Sequence, residues 1–410
     1  MTKKLIVVFT FTVSVSLSFA QVASDPQVQR ALDFIKQIEP ETVNEQAKIC
    51  EIPAPPFKEQ QRAEYFKRRF IELGLKNVRV DAVGNVIGER AGETAQPTLV
   101  LSAHLDTVFP EGTEVTVTRT GSSLKAPGIG DDSRGLAVLL AVIRALQEQK
   151  ITTRGTILFV ATVGEEGLGD LRGVRHLFAN ELKGRITHFI SIDGTGLEIT
   201  NRAVGSNRYK VTFKGPGGHS YGAFGMPNPI HALGRAIEKI SRFVVPKQPK
   251  TTFNVGRIEG GTSVNSIAHT AWMEVDMRSE SAASLAAVDA DFKKAMHSAL
   301  DEENAFWNHR VKLAVDVTLI GERPTGEQAA DAPIVRAALA SDSALGITSR
   351  LGSGSTDSNI AISLGIPAIT IDGGGEGRGA HSLDETFDAT NSYLGTQRAL
   401  LIALEIVGVR

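Results

Sequence analysis

Histidines and acidic residues follow apolar, strand-like segments of the sequence. His104 and Asp106 end the segment 101–107, and Asp193 ends the segment 189–193. Residues i and i+2 of a strand point to the same face, so Asp106 can accept a hydrogen bond from the second ring nitrogen of His104 and fix its tautomer. His104 therefore has the pattern of a metal ligand with an orienting partner.

Two pairs of adjacent carboxylates extend this pattern. Asp131 and Asp132 lie just before a helical segment, and Glu165 and Glu166 follow the apolar segment 156–163. Adjacent residues on an extended chain face opposite ways, so one member of each pair can bind a metal while the other acts elsewhere. The first pair can also cap the helix that follows it.

The last member of this set is His381, which follows the glycine-rich segment 373–379, a predicted loop. In open α/β sheets, groups at the carboxyl ends of strands converge on one crevice. Cys50 is the single cysteine, so a metal must use histidine and carboxylate ligands. Two histidines with three or four carboxylates suit two divalent ions about 3.5 to 4 Å apart, bridged by one carboxylate. Zinc is the first choice, with cobalt and manganese as alternatives.

In their order along the chain, these motifs resemble the two-zinc exopeptidases that include glutamate carboxypeptidase, the tripeptidase peptidase T and the aminoacylases. The resemblance implies that Asp131 bridges both zinc ions. It also implies that His104 and Asp193 complete one site and that Glu166 and His381 complete the other. The segments that carry it are 103–110, 131–132, 165–166, 193 and 380–385.

The resemblance also implies a reaction. Two zinc ions acidify a bridging water, and Glu165, as general base, takes its proton and passes it to the leaving amine. Asp106 orients His104. The expected function is hydrolysis of the peptide bond of small peptides by a tripeptidase, a dipeptidase or a carboxypeptidase-like exopeptidase.

A second group of motifs lies in the segments 214–220 and 260–279. In the family that the chain resembles, the inserted domain mediates dimerisation, and its histidine reaches the active site of the partner subunit. Carried over, His219 stabilises the oxyanion, while Asn265 and Arg278 hold a carbonyl or carboxylate of the substrate. The resemblance therefore implies a homodimer formed through the inserted domain.

Alternating strand and helix patterns predict an α/β fold, which the resemblance specifies as a zinc-exopeptidase-like mixed sheet flanked by helices. The order β-α-β-β-α-β within residues 207–320 predicts an inserted α+β lid, a split β-α-β unit with its own sheet. The catalytic domain then comprises residues 21–206 and 321–410. Helices are predicted at 26–38, 58–75, 135–149, 230–241 and 281–300. Strands are predicted at 77–80, 98–103, 156–163, 187–192, 209–213, 252–258, 270–277, 311–319 and 368–371.

The start of the sequence predicts export. Lys3 and Lys4 precede an apolar run to about Phe19, and Ser18 and Ala20 supply the two small residues that a signal peptidase recognises, which predicts a signal peptide of residues 1–20. The chain is then periplasmic or secreted, without a membrane anchor. With 44 basic and 46 acidic residues in 410, the net charge of −2 argues against nucleic acid as a partner.

Three other functions compete with peptide hydrolysis. The first is deacylation of N-acyl amino acids by the same two-metal site. The second is a serine hydrolase, because residues 218–222 fit G-x-S-x-G at Ser220, with Asp372 and His381 following in the order of that fold. The third is a protein that binds peptides without turnover.

Overall fold

The computed structural model describes residues 19–410. The predicted signal peptide lies outside the described residues, apart from Phe19 and Ala20 at the start of the first helix. No helix within 19–410 is long and apolar enough to cross a membrane.

The described chain alternates helices and strands along most of its length. Its α-helices are α1 (Phe19–Ser24), α2 (Pro26–Cys50), α3 (Gln60–Glu72), α4 (Ser133–Glu148), α5 (Arg172–His176), α6 (Pro229–Ser241), α7 (Ala282–Trp307), α8 (Pro333–Ala344), α9 (Ser358–Ser363) and α10 (Tyr393–Val407). A 3₁₀ turn covers Gly167–Gly169, and a π-helical turn covers Leu177–Glu181.

The strands fall into sheets of different sizes. In chain order they are β1 (Lys76–Val80), β2 (Val86–Arg90), β3 (Thr98–His104), β4 (Thr118–Thr120), β5 (Ser123–Lys125), β6 (Thr156–Thr162), β7 (His188–Ile192), β8 (Glu198–Ala203), β9 (Gly205–Lys214), β10 (Gly218–His219), β11 (Thr251–Gly260), β12 (Ser266–Ile267), β13 (Thr270–Ser279), β14 (Ala314–Arg323), β15 (Gly326–Glu327), β16 (Arg350–Gly354), β17 (Ala368–Ile371), β18 (Glu376–Arg378) and β19 (Thr386–Asp388).

The large sheet has the order β1-β2-β6-β3-β7-β17-β8-β15, with β16 paired to β8. Its central strands β6, β3, β7 and β17 are mutually parallel and buried almost throughout. Apolar side chains of α2, α4 and α10 cover one face, and those around α5 and α9 cover the other. Parallel strands buried on both faces end at the same sheet edge, so the residues that follow β3, β6 and β7 meet there.

Helix α4 lies directly under this edge. Asp132 is its N-cap and accepts a hydrogen bond from the Gly135 backbone N–H at 3.0 Å. The sequence pattern predicts one apolar face, but residues 133–143 are all buried, because α2 and α10 flank the helix on the sheet. The start of the helix is therefore fixed firmly beside the candidate site.

A separate antiparallel sheet of order β11-β13-β9-β14 interrupts the α/β layers. Helices α6 and α7 cover one face of it and enclose a distinct apolar core. This inserted unit runs from Gly205 to Arg323, slightly beyond the predicted limits of 207 and 320. Ser206 pairs with Arg323, so the chain enters and leaves the unit side by side.

The fold class is confirmed, a mixed α/β sheet flanked by helices with an inserted α+β unit. Several elements differ from the prediction. Helix α2 continues through Pro40 to Cys50, where the periodicity predicts an end at Ile38. Proline in a helix removes one backbone hydrogen bond, but packing of the α2 side chains against α4 outweighs that loss. The predicted glycine loop is partly a strand, since Glu376–Arg378 forms β18 against β19.

Candidate metal centre

The carboxylate of Asp131 lies between two histidines. Its Oδ1 is 3.0 Å from Nε2 of His104, and its Oδ2 is 3.1 Å from Nε2 of His381. Asp193 Oδ1 lies 3.8 Å from His104 Nε2, and Glu166 Oε1 lies 2.9 Å from His381 Nε2. The cluster therefore has two halves, one with His104 and Asp193 and one with His381 and Glu166, which share Asp131.

Asp132 has a different position from its neighbour, to which it is joined by a cis peptide bond. Its Oδ2 accepts the backbone N–H of His104 at 3.0 Å, and its Oδ1 accepts that of Gly135. Oxygens of Asp132 come within 4.8 Å of ligand atoms of His104 and Asp193. Because backbone N–H groups already occupy both oxygens of Asp132, Asp131 is the better candidate for a bridging ligand.

Asp106 connects the ends of β3 and β6. His104 Nδ1 is 3.0 Å from the backbone carbonyl of Asp106 and 3.7 Å from its carboxylate. The Asp106 carboxylate accepts the backbone N–H groups of Glu165 at 3.1 Å and of Glu166 at 2.8 Å. The sequence predicts a hydrogen bond from His104 to the Asp106 carboxylate, but the ring nitrogen bonds to the backbone carbonyl of Asp106 instead. The carboxylate is taken up by the backbone N–H groups of the second carboxylate pair.

Electrostatics in the cluster favour bound cations. Burial, with the nearby Asp131 and Asp132, raises the pKa of Asp193 well above its usual range. Burial alone would also raise the pKa of Asp131, but its hydrogen bonds with His104 and His381 hold it below the usual value. Hydrogen bonds with Asp131 and Glu166 raise the pKa of His381 to about 10. Imidazole and carboxylate donors around a shared carboxylate fit two divalent metal ions.

Glu165 is buried beside this cluster but bonds to neither histidine within the described chain. Its Oε1 is 2.9 Å from Nη1 of Arg323, which also donates to the carbonyl and hydroxyl of Ser355 at 3.3 and 3.2 Å. Nη2 of Arg323 donates to the Glu165 backbone carbonyl. Burial raises the pKa of Glu165 to about 8, although the charge of Arg323 lowers it.

Sequence reasoning missed Arg323 and Asp357. Arg323 is the last residue of β14 and returns from the inserted unit to the candidate base. Asp357 is fully buried and accepts the Thr162 hydroxyl at 2.6 Å, and burial raises its pKa to about 6. Neither residue belongs to a motif of regularly spaced ligands. Only the tertiary fold brings them to the site, so the sequence alone does not identify them.

His381 has an unusual backbone. Its φ of +66° lies in the left-handed region, which residues other than glycine seldom adopt. The glycine loop before it and the strand β19 after it hold this conformation. Such strain is found most often at functional positions.

The three candidate residues of the inserted unit lie on its surface. The exposed His219 on β10 accepts the backbone N–H groups of Tyr221 and Gly222 at Nδ1. Asn265 precedes β12, the partner strand of β10, and its carbonyl accepts the Ser220 N–H. Arg278 on β13 is paired with Asp276 at 2.7 Å. In residues 19–410, no hydrogen bond or ion pair joins these three candidates to the metal cluster.

Ser220 lacks the geometry of a serine nucleophile. Turns follow β10, and the next helix begins only at Pro229, whereas a nucleophile elbow needs a sharp turn from strand to helix. Its hydroxyl makes no hydrogen bond to a histidine in the described part of the chain. The geometry therefore disfavours the serine hydrolase alternative.

The sequence and the fold of this chain are similar to those of known peptidases. The sequence model of peptidase family M20/M25/M40 matches residues 100–405 of this chain. The chain is 27% identical over 350 residues to the uncharacterized protein YqjE of Bacillus subtilis, covering 82% of this chain and 86% of that protein. It is 27% identical over 323 residues to carboxypeptidase G2 of Pseudomonas sp., covering 73% and 74%. The crystal structure of a tripeptidase from Staphylococcus aureus has a TM-score of 0.72 at 24% identity, with 89% and 97% covered.

The chain belongs to peptidase family M20/M25/M40, because the family match spans most of its length. This membership confirms the family expected from the sequence. The protein is accordingly a metallopeptidase, and its family is one of dinuclear metal peptidases.

Replacing Arg323 tests whether it holds Glu165 in place. We expect Arg323→Met to lower kcat about tenfold or more, a loss of about 1.4 kcal/mol in transition-state stabilisation. The metal content should be unchanged, because Arg323 contacts none of the candidate ligands. Steady-state kinetics and metal analysis of the folded variant measure both effects.

The matched control is Arg202→Met, which removes an arginine of the catalytic sheet whose partners are Glu327 and Glu280. This variant should keep wild-type kcat. An Arg323→Met enzyme with kcat within about twofold of wild type would contradict a role in positioning the base.

Proposed function

We propose that the protein is a zinc-dependent exopeptidase that hydrolyses the peptide bond of small peptides. The observation that carries this proposal is the position of Asp131, whose two carboxylate oxygens face the Nε2 atoms of two histidines. The buried Glu165 lies beside that cluster without bonding to either histidine. A shared carboxylate with an adjacent base that is not a ligand is the arrangement that two-metal hydrolysis needs.

The candidate ligands form two groups, one for each metal ion, which correspond to the two halves of the cluster. Asp131 would bridge the two ions, with His104 and Asp193 on one and Glu166 and His381 on the other. When bound, a pair of zinc ions lowers the pKa of a water molecule toward neutrality and polarises the scissile carbonyl.

Protein groups handle the proton and the developing charge. Glu165 accepts the proton of the attacking water and gives it to the leaving amine, a task that suits a base with a pKa near neutral pH. His219 accepts backbone N–H groups at Nδ1, so its neutral ring carries the proton on Nε2, where it can donate to an oxyanion. Arg278 and Asn265 offer donors for a substrate carboxylate or carbonyl.

A substrate panel tests the reaction directly. The panel contains dipeptides, tripeptides, a peptide with C-terminal glutamate and N-acyl amino acids, each with and without a zinc chelator. We expect chelator-sensitive release that zinc restores, and we expect Glu165→Gln to lower kcat about a thousandfold or more with both metals retained. Glu111→Gln, which changes an exposed glutamate, should behave as wild type.

The other outcomes separate the competing functions. Fast turnover of N-acyl amino acids alone would favour a deacylase. Chelator-resistant activity would contradict the metal mechanism and return attention to Ser220. Two bound metals with no turnover of any substrate would favour a peptide-binding protein.

We also propose that the inserted unit forms a homodimer in which His219 serves the active site of the partner subunit. The exposure of His219 and its lack of contact with the metal cluster in its own described chain support this proposal. Tyr221, Phe224 and Val264 nearby are at least 80% exposed, which is unusual for apolar side chains unless another surface covers them.

Complementation between inactive variants tests the trans arrangement. A heterodimer of Glu165→Gln and His219→Ala chains, isolated with two affinity tags, should recover about half of the wild-type activity, because one of its two sites is complete. The control is a heterodimer of a Glu165→Gln chain and a chain that carries both Glu165→Gln and His219→Ala. It should be inactive, because neither of its sites has the base. An active wild-type monomer, or a heterodimer without activity, would contradict the proposal.

We propose further that the protein is exported, on the evidence of the basic and apolar residues 1–20. When residues 1–410 are expressed in a bacterial host, the protein recovered from the periplasm should begin at Gln21, as determined by mass spectrometry of its N-terminal peptide. A chain that starts at residue 21 behind an initiator methionine should stay in the cytoplasm. Cytoplasmic full-length protein that keeps residues 1–20 would contradict export.

A further inference from the structure

Glu385 closes the segment 380–385 that contains His381, and the proposed reaction gives it no role. It is 2% exposed and immediately precedes β19. It bonds to neither of the two histidines of the cluster in the described chain, so it is not a candidate ligand itself.

The Glu385 carboxylate binds the loop that carries Asp131. Its Oε2 accepts the backbone N–H of Gly128 at 2.9 Å, and its Oε1 accepts those of Gly130 at 2.8 Å and Asp131 at 3.0 Å. The backbone carbonyl of Glu385 accepts the N–H of Ala126 at 3.2 Å. One residue thus binds four backbone N–H groups between residues 126 and 131.

The loop is shaped to admit this carboxylate. A Cβ atom on Gly130 would lie 2.9 Å from Glu385 Oε1 and 2.9 Å from Cγ2 of Thr195, closer than side chains tolerate. The remaining anchors of the loop act on its carbonyls, where Gln46 donates to Ile129 at 2.7 Å and Ser133 donates to Gly128 at 2.6 Å. In this loop, the side-chain contact to the N–H of Asp131 comes from Glu385.

We infer that Glu385 is a positioning residue that holds the bridging ligand Asp131 in register with His381. The backbone N–H of Asp131 is fixed by a carboxylate from the same short segment that supplies His381. The two oxygens of Asp131 therefore keep their separate directions, one toward each histidine. The inference rests on the proposed two-metal site and adds a determinant of its metal affinity.

Metal binding without substrate tests this role. Glutamine matches glutamate in size but offers one acceptor oxygen, and its amide N–H₂ would face a backbone N–H group. We expect Glu385→Gln to weaken binding of zinc by about tenfold to a hundredfold, measured by competition with a chelating dye. The visible spectrum of the cobalt-substituted protein should change, because the bridging carboxylate shifts.

Asp384→Asn provides the matched control, since it removes the same charge one residue earlier. Asp384 is 84% exposed on its side chain and is paired with Lys125 at the surface. This variant should keep wild-type zinc affinity and cobalt spectrum.

A second variant covers the case in which Glu385→Gln does not fold. Gly130→Ala keeps the glutamate at position 385, but the added Cβ would lie 2.9 Å from its Oε1 and from Thr195 Cγ2, so the carboxylate must shift against the loop. This variant should cause the same loss of zinc affinity. Wild-type affinity and spectrum in folded Glu385→Gln or Gly130→Ala protein would overturn the inference, even with a lowered melting temperature. A wild-type protein that binds fewer than two zinc ions would instead contradict the proposed function.

Discussion

Crowding of buried carboxylates at one edge of the large sheet is the constraint on which the site depends. Asp193, Glu165 and Glu166 meet there because the parallel strands β6 and β7 end at that edge, and the loop before α4 brings Asp131 to the same place. Two histidines and Arg323 supply too little positive charge to neutralise them, and buried unpaired charges are costly. Divalent cations resolve this conflict, so the same crowding that strains the protein without metal creates its affinity for metal.

Two of the candidate ligands and the candidate base are held by neighbours outside the candidate ligand set. Asp106 binds the backbone of Glu166, Asp132 binds the backbone of His104, and Arg323 binds the side chain of Glu165. Ordering acidic side chains costs conformational entropy. Because these contacts already order the site in the folded protein, less entropy is lost when metal binds. The result is a preorganised site in which ligand directions are set by backbone contacts.

The sequence predicts those features that depend on local pattern. Apolar strands that end in His104, Glu165 or Asp193, and a helix that follows a capping aspartate, are visible from neighbouring residues alone. The contact between Arg323 and Glu165 joins residues far apart in the chain, so no local pattern predicts it. Strand β8 and helix α10 likewise depend on tertiary packing, and the spacing of their apolar residues does not predict them. The passage of α2 through Pro40 likewise depends on burial against α4, which overrides the local preference of proline.

The two connections of the inserted unit place Arg323 at its junction with the catalytic domain. Ser206 and Arg323 are paired at the root of the sheet, while His219 lies past the far end of β9, whose ten residues span about 33 Å. In a rotation about that root, displacement grows with distance from the axis. A change in the angle of the unit at this root would therefore displace His219 far more than Arg323, the partner of Glu165.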